Sequence, residues 1–364
     1  MRDDLAMERA RQLGESARRV APPNPWVGCV IVRDGEIVGE GSTQAPGHAH
    51  AEVAALTAAG DRARGATAYV TLEPCSHHGR TPPCADALVA AGVARVVVGI
   101  TDPDERVSGA GVARLHSAGV AVEAGVAADG ITRDLAPYLH HRRTGRAFCV
   151  VKTATTLDGR SAAADGTSQW ITGPAARADA HALRAESQAV VVGAGTAIRD
   201  LPSLTARNVE PPVAQQPLRV LLDARGRVAA VGPLFDAELA PTLVITTEGA
   251  APDTVDDWRH AGAKVEVVDA APGGVDLGQV LTLLGRYGVL QAMVEGGATL
   301  HGALLDAQLV DRVVAYVAPA LLGPEGAPAL PLAGVMTLAD ARRFTVTSVA
   351  QLADDVRLDL EPVR

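Results

Sequence analysis

The sequence predicts two successive α/β domains, over residues 1–145 and 146–364. Three observations lead there. Short apolar runs rich in β-branched residues alternate with helix-forming stretches along the whole chain, the pattern of strands covered by helices. With 364 residues the chain can build two separate hydrophobic cores. Near the middle, the polar run His140-His141-Arg142-Arg143-Thr144-Gly145-Arg146 interrupts the pattern and reads as a solvated linker.

The first block opens with a helix over 5–19 and an extended Pro22-Pro23-Asn24-Pro25 turn. Strands at Val27–Val32 and Ile37–Glu40 flank Asp34-Gly35, a strong short hairpin signal. A helix follows Glu52 and is ended by Gly60, and a strand over Thr67–Leu72 delivers Glu73-Pro74-Cys75 at its carboxyl end. A helix over 84–91, a strand over 95–100, a helix near 110–118, a short strand at 120–123 and a helix near 130–140 complete a three-layer α/β domain. The second block starts on the strand Phe148–Thr153, with further strands at 189–192, 218–222, 242–246, 264–268, 291–294 and 312–317. Helices at 174–186, 252–261, 276–286 and 298–307 separate several of them, so the sheet is mostly parallel, with an antiparallel finish over 343–361. The proline-rich 209–217 is a loop within this domain.

The most informative residues are His50, Glu52, Cys75 and Cys84. A closed structural zinc site takes four protein ligands, whereas a catalytic one keeps a position open for water. Three ligands beside a carboxylate therefore point to zinc-activated water, with Glu52 moving protons. The order His-Ala-Glu, then Pro-Cys, then Cys matches the zinc-dependent nucleobase deaminase pattern, except that its cysteines are separated by two residues and these by eight. Any one histidine or cysteine taken alone would read as structural; the joint arrangement carries the reading.

Composition narrows the class further. Four cysteines in so long a chain make a disulfide scaffold unsuited and leave thiolates for metal, as in a reducing cytoplasm. A net charge of −9 with 3% aromatic residues gives neither the basic groove nor the stacking platform that a nucleic acid needs. No apolar run is long enough to span a bilayer, and Met1-Arg2-Asp3-Asp4 does not start a signal peptide.

In the second block Val294-Glu295-Gly296-Gly297-Ala298-Thr299-Leu300 and Val192-Gly193-Ala194-Gly195-Thr196 each leave a strand through glycines. Such turns let backbone approach a phosphate at a helix amino terminus. Alone each could be a mere tight turn; two in one domain point to a nucleotide cofactor. No Walker-type lysine follows either, so nucleotide hydrolysis is not indicated.

These motifs resemble the bifunctional riboflavin-biosynthesis proteins of bacteria, a pyrimidine deaminase fused to a reductase. The resemblance runs nearly end to end. It is carried by Pro23-Asn24-Pro25 with Val27-Gly28-Cys29-Val30, by His50-Ala51-Glu52-Val53, and by the run Thr71-Leu72-Glu73-Pro74-Cys75-Ser76-His77-His78-Gly79-Arg80-Thr81-Pro82-Pro83-Cys84. That last run accounts for the long spacer, which the family carries between its zinc cysteines. In the second half the matches are Lys152, Leu157-Asp158-Gly159-Arg160, Ser168-Gln169-Trp170-Ile171-Thr172, Arg184, Leu204-Thr205 with Arg207, and Glu295-Gly296-Gly297.

The resemblance implies a cytidine-deaminase-like three-layer α/β/α domain and a dihydrofolate-reductase-like α/β domain. It implies zinc on His50, Cys75 and Cys84, catalysis by Glu52, and a substrate-orienting role for Asn24. The implied substrate is 2,5-diamino-6-ribosylamino-4(3H)-pyrimidinone 5′-phosphate, deaminated and then reduced by NADPH to a ribityl product. For NADPH it indicates Ala154, Trp170, Thr196, Asp200 and the segment Gly297, Ala298, Thr299, Leu300, His301, Gly302 and Ala303; for substrate, Ser168, Arg184, Leu204, Arg207 and Glu295. The arginines at 184 and 207 suit a phosphate, and Lys152 and Asp200 could assist proton delivery. Where the family follows that aspartate with a second acid, this chain has Leu201. The sequence assigns no arginine to the 2′-phosphate of NADPH. The resemblance further implies a homo-oligomer. A nucleic-acid-editing deaminase, and a deaminase whose second half is degenerate or regulatory, remain the competing readings.

Overall fold

The structure, a computed structural model, describes residues 1–77 and 82–363 and divides into two compact units, Met1–Gly145 and Arg146–Arg364. His78, Gly79, Arg80 and Thr81 of the cysteine spacer lie outside the described residues.

The first unit runs α1 (Asp3–Ser16), β1 (Gly28–Arg33), β2 (Glu36–Ser42), α2 (Ala51–Ala59), β3 (Thr67–Leu72), α3 (Cys84–Ala91), β4 (Arg95–Ile100), α4 (Ala110–Ser117), β5 (Ala121–Ala124), α5 (Ala128–Asp134) and α6 (Ala136–Thr144). Its five-stranded sheet has the order β2-β1-β3-β4-β5. The pairs β1–β2 and β1–β3 are antiparallel, and β3–β4 and β4–β5 are parallel. The hairpin turns at Asp34 and Gly35, whose φ angles of 53° and 82° are the left-handed pair that matches strand twist. One face is covered by α2, α3 and α4, each packed on the next, and the other by α1 and α5. This is the three-layer arrangement expected. Gly41 is what lets α2 lie so close to β2: a Cβ there would stand 2.4 Å from the Ala51 carbonyl oxygen.

Two local expectations are corrected. The helix expected near 130–140 is two helices that break at Leu135, where Pro137 starts the second by withholding an amide the first would need. The expected linker at 140–146 is helical as far as Thr144. His141, Arg142 and Arg143 suit the negative carboxyl end of α6, the Arg142 guanidinium stacks 5.0 Å from the Tyr138 ring, and Gly145 closes the helix in a left-handed turn (φ 72°).

The second unit runs β6 (Phe148–Thr156), β7 (Arg160–Ala162), α7 (Pro174–Glu186), β8 (Ala189–Gly193), α8 (Ala194–Asp200), β9 (Leu218–Leu222), β10 (Thr242–Thr246), α9 (Pro252–His260), β11 (Lys264–Val267), β12 (Ala270–Ala271), β13 (Gly274–Val275), α10 (Leu277–Arg286), β14 (Gln291–Val294), α11 (Ala298–Asp306), β15 (Arg312–Ala318), β16 (Ala327–Pro328), β17 (Phe344–Leu352) and β18 (Asp355–Pro362). The nine-stranded sheet has the order β11-β10-β9-β8-β14-β6-β15-β18-β17. Every neighbouring pair from β11 to β15 is parallel, and the hairpin β17–β18 adds antiparallel to β15. That parallel sheet with an antiparallel carboxyl-terminal hairpin is the dihydrofolate-reductase-like arrangement. Residues of α10 and α11 (Leu281, Leu284, Leu304, Leu305) pack one face of the sheet, and those of α8 and α9 (Ala194, Ala197, Trp258) the other. The helix α8 was not expected, because Gly193-Ala194-Gly195 reads as a turn; burial of Ala194 and Ala197 in the core offsets the poor propensity of Gly195. Among the described residues no helix is long and apolar enough to cross a membrane.

Candidate active sites

In the first unit the candidate ligands arrive from three different elements. His50 is the residue that precedes α2, in extended conformation (φ −74°, ψ 165°), so its ring projects from the helix start. Cys75 lies three residues beyond the end of β3, and Cys84 is the first residue of α3, behind Pro83. The fold brings them together. His50 Nδ1 stands 3.3 Å from Cys84 Sγ and 3.7 Å from Cys75 Sγ, and all three candidate ligand atoms lie within 4.8 Å of one another. A tetrahedron with bonds of about 2.0–2.3 Å has edges of about 3.3–3.8 Å, so the donor set fits zinc in size as well as chemistry. Among the described residues these three form the cluster, which leaves one position of a tetrahedron for a non-protein ligand.

The electrostatics favour thiolate at this point. The Cys84 amide, at the start of α3, donates to Cys75 Sγ at 3.3 Å. Hydrogen bonding from the Cys84 thiol, and then from His50, draws Cys75 down to about 4 despite its burial. Cys84 is held high by the same sulfur and by burial. Glu52, in the first turn of α2, is 4% exposed, and its carboxyl is pushed up to about 7 by burial and then by the neighbouring Cys75. Substituting Cys75 by Ala removes one of three ligands, and zinc content measured by metal analysis is expected to fall from about one per chain to near zero.

A cavity of about 120 Å³ adjoins the cluster, and Asn24, His50, Glu52 and Cys75 line it. Sequence reasoning missed other residues that line it, Asp102, Asp104, Arg106, Tyr138 and Arg142. Asp102, beyond the end of β4, accepts the Tyr138 hydroxyl at 2.9 Å, while Asp104 pairs with Arg106 (2.6 Å) and Arg142 (3.5 Å). Their position beyond a strand's carboxyl end was the available signal. Glu73 is structural in character: its buried carboxylate accepts the amides of Asp102, Gly109, Gly111 and Val112 at 3.0–3.3 Å and so ties the start of α4 to the end of β3.

In the second unit a cavity of about 1410 Å³ opens at the carboxyl ends of β6, β8, β9 and β14. Lys152 and Ala154 of β6, Thr196 and Asp200 of α8, and Trp170 line it. So do Ser168, Arg184, Leu204, Arg207 and Glu295. Of the glycine-led segment, Gly297, Ala298, Thr299, Leu300, His301 and Ala303 reach the cavity. Gly302 does not: a Cβ on it would stand 2.3 Å from the Pro331 carbonyl oxygen, so it serves close packing of α11. His301 is 3% exposed and held down to about 4 by burial, and its Nε2 accepts the Gly296 amide at 3.2 Å, which locks the glycine turn. Gly297, the residue before α11, lies close to Thr196 and Arg199: a Cβ there would stand 3.3 Å from Thr196 Oγ1 and 4.0 Å from Arg199 Nη2.

The two candidate phosphate arginines differ. Glu295 binds one edge of the Arg184 guanidinium through both carboxylate oxygens, Nε to Oε1 and Nη2 to Oε2 (2.7 Å), and Nη1 donates to the Thr205 carbonyl at 3.1 Å. Arg207 is exposed, donates to Ser203 Oγ at 3.2 Å, and meets no acidic side chain among the described residues. Lys152 is pushed below its usual range by burial, against the nearby Glu295 carboxylate. Leu201, in the place of the family's second acid, is 59% exposed in a left-handed conformation that ends α8.

Comparison with known proteins decides the family. The model of the cytidine and deoxycytidylate deaminase zinc-binding region matches residues 1–100, and that of the RibD C-terminal domain matches residues 147–358. The riboflavin biosynthesis protein RibD of Escherichia coli K12 is 42% identical over 99% of this chain and 99% of its own. The chain belongs to the RibD family. RibD of Chlamydia trachomatis is 44% identical over 98% of this chain and 94% of its own. A solved RibD structure from Acinetobacter baumannii superposes with a TM-score of 0.90 at 40% identity, covering 100% of this chain and 99% of that one. A Thermotoga maritima protein described as a diaminohydroxyphosphoribosylaminopyrimidine deaminase/5-amino-6-(5-phosphoribosylamino)uracil reductase superposes with a TM-score of 0.86 at 31% identity, over 99% of both chains.

Proposed function

We propose that the first unit removes an amine hydrolytically from 2,5-diamino-6-ribosylamino-4(3H)-pyrimidinone 5′-phosphate, and that the second reduces the ribosyl unit of the product to a ribityl chain with NADPH. The chain is a bifunctional deaminase and reductase of riboflavin biosynthesis. The observation that carries this reading is the convergence of His50, Cys75 and Cys84 on one point beside the buried carboxyl of Glu52.

In the first reaction His50, Cys75 and Cys84 hold the metal. A bound zinc supplies a water acidified towards neutral pH and polarised for attack. Glu52 takes one proton from that water and gives it to a ring nitrogen, then passes the remaining hydroxyl proton of the adduct to the amine, which leaves as ammonia as the carbonyl forms. Burial suits it to both directions of transfer, because a carboxyl that titrates near 7 exchanges protons readily at neutral pH. Asn24, on the wall of the same cavity, orients the pyrimidine.

In the second reaction NADPH supplies a hydride to the ribosyl carbon. Ala154, Trp170, Thr196 and Asp200 hold the cofactor, together with Gly297, Ala298, Thr299, Leu300, His301 and Ala303, all on the cavity wall. Ser168, Leu204 and Arg207 bind the substrate, with Arg207 on its phosphate, since that guanidinium has no acid among the described residues to neutralise it. Arg184 and Glu295 line the substrate side as a neutral pair, a polar wall rather than a second phosphate ligand. Lys152, whose burial favours release of its proton, delivers that proton to the opening sugar ring.

A homo-oligomer and a cytoplasmic location belong to the same proposal. The edge strand β17 carries an unpaired side and exposes Val346 and Val349 (53% and 63%), which suits a second copy. All four cysteines are free, and thiolate ligands suit a reducing compartment. A coupled assay with the diaminopyrimidine substrate, following ammonia and NADPH together, tests both halves: ammonia is expected first, and NADPH oxidation only after it. Ammonia release without any NADPH oxidation would instead favour a degenerate second unit.

A further inference from the structure

We propose that His181 and Gln216 are positioning residues for the reductase substrate: they fix the backbone that carries Arg207, so that its guanidinium meets the substrate phosphate. This rests on the reading of Arg207 as the phosphate ligand. Ser203, Leu204 and Arg207, on the loop between α8 and β9, line the large cavity. Regular secondary structure does not hold that stretch. Residues 202–207 belong to no helix or strand, and among the described residues none of their backbone groups bonds to another backbone group. Leu204 and Asn208 hold left-handed φ angles of 53° and 55°, a region that residues with a Cβ rarely adopt. A segment of that shape persists only where its surroundings impose it.

Side chains from outside the segment do so, one peptide group after another. Arg184 Nη1 donates to the Thr205 carbonyl at 3.1 Å. Gln216, two residues before β9, meets Ala206 twice: Nε2 donates to its carbonyl at 2.9 Å, and its amide donates to Oε1 at 2.8 Å. That side chain takes the place of a neighbouring strand. His181 Nδ1 accepts the Arg207 amide at 3.2 Å. His181 and Arg184 stand three residues apart in α7, so one face of the helix carries both.

His181 also lines the cavity, with its ring half-buried. Burial, and then the charges of Arg184 and Arg207, hold the ring below its usual range, so Nδ1 keeps its lone pair for the amide at neutral pH. This bond falls on the residue whose guanidinium has to be aimed. Arg207 Nη1 donates to Ser203 Oγ at 3.2 Å within the same segment, so both groups move with the backbone that His181 and Gln216 hold. Paired hydrogen bonds from a guanidinium to a phosphate are directional, and a displacement of about 1 Å removes them. A staple that served folding alone would not distinguish substrates; one that aims Arg207 acts only where there is a phosphate to bind.

The test uses the full chain, saturating NADPH and two substrates, the deaminated intermediate and the same compound without its 5′-phosphate. His181→Ala and Gln216→Ala are each expected to raise KM for the phosphorylated substrate by about 5- to 30-fold, with kcat within about twofold of wild type. KM for the substrate without phosphate should not change. His181→Asn, whose Oδ1 stands where Nδ1 does, should restore most of the lost affinity. Arg207→Gln is the reference and should show the same pattern more strongly. If Arg207→Gln leaves KM unchanged, the reading of Arg207 falls, and the assignment with it. An effect of Arg207→Gln that neither alanine variant shares overturns the assignment alone. So does an equal rise in KM for both substrates, or a His181→Asn chain that behaves like His181→Ala. Should one alanine variant fail to fold, the other carries the comparison; if neither folds, the two side chains serve the fold and the assignment is overturned.

Discussion

Glu52→Gln is expected to slow ammonia release from the diaminopyrimidine substrate by about 10²- to 10⁴-fold while zinc stays bound. The amide has the shape of the carboxyl and fits the same buried space, so the cluster of His50, Cys75 and Cys84 should keep its geometry. What it loses is the ability to take up and return a proton. That loss falls on three transfers in one turnover: from water, to the ring, and to the leaving amine. Reduction of the deaminated intermediate, supplied directly, should continue, because none of the second-unit residues lies in Met1–Gly145. Metal analysis beside the ammonia assay separates the outcomes. Full metal content with wild-type ammonia release would remove Glu52 from the mechanism; loss of metal would make it a support for the ligands instead.

The cluster of His50, Cys75 and Cys84 was legible in the sequence because its chemistry is narrow and its elements are locally determined. A strand ending before Cys75 and a helix beginning at Cys84 follow from composition alone, and the observed bounds of α3 are those expected. The Asp34-Gly35 turn was legible for a similar reason, since few residue pairs accept two positive φ angles. What stayed hidden depends on partners far along the chain. Arg184 and Glu295 are 111 positions apart, and nothing in either motif says that one neutralises the other. Asp223 directly follows β9, and only its hydrogen bonds show the carboxylate turned into its own loop. Gly302 belongs to the same run as Gly297, yet helical geometry turns it away from the cavity and against Pro331. The helix α8 was missed because local propensity opposes it and core burial decides it.

The Arg184–Glu295 pair carries the other large effect. Burial alone would raise the Glu295 carboxyl, but the Arg184 guanidinium outweighs it, and Lys152 adds to the pull, so the group is held down to about 2. A carboxylate whose folded pKa lies below its unfolded value stabilises the fold above that unfolded value, about 4.3, and the stabilisation disappears as pH falls towards about 2. For this shift it amounts to about 3 kcal/mol at neutral pH. Glu295→Gln removes it and leaves a guanidinium buried without its counter-charge, which costs about 3–5 kcal/mol. In a unit of this size that lowers the unfolding midpoint by about 6–20 °C. Arg184→Met together with Glu295→Gln removes both charges and should recover most of that loss. Reductase activity should not return, since the polar wall of the cavity is gone. Calorimetry of the single and double variants decides the matter. If Glu295→Gln unfolds at the wild-type temperature, the pair does not hold the unit together, and a reductase defect in that variant would have to come from substrate contact alone.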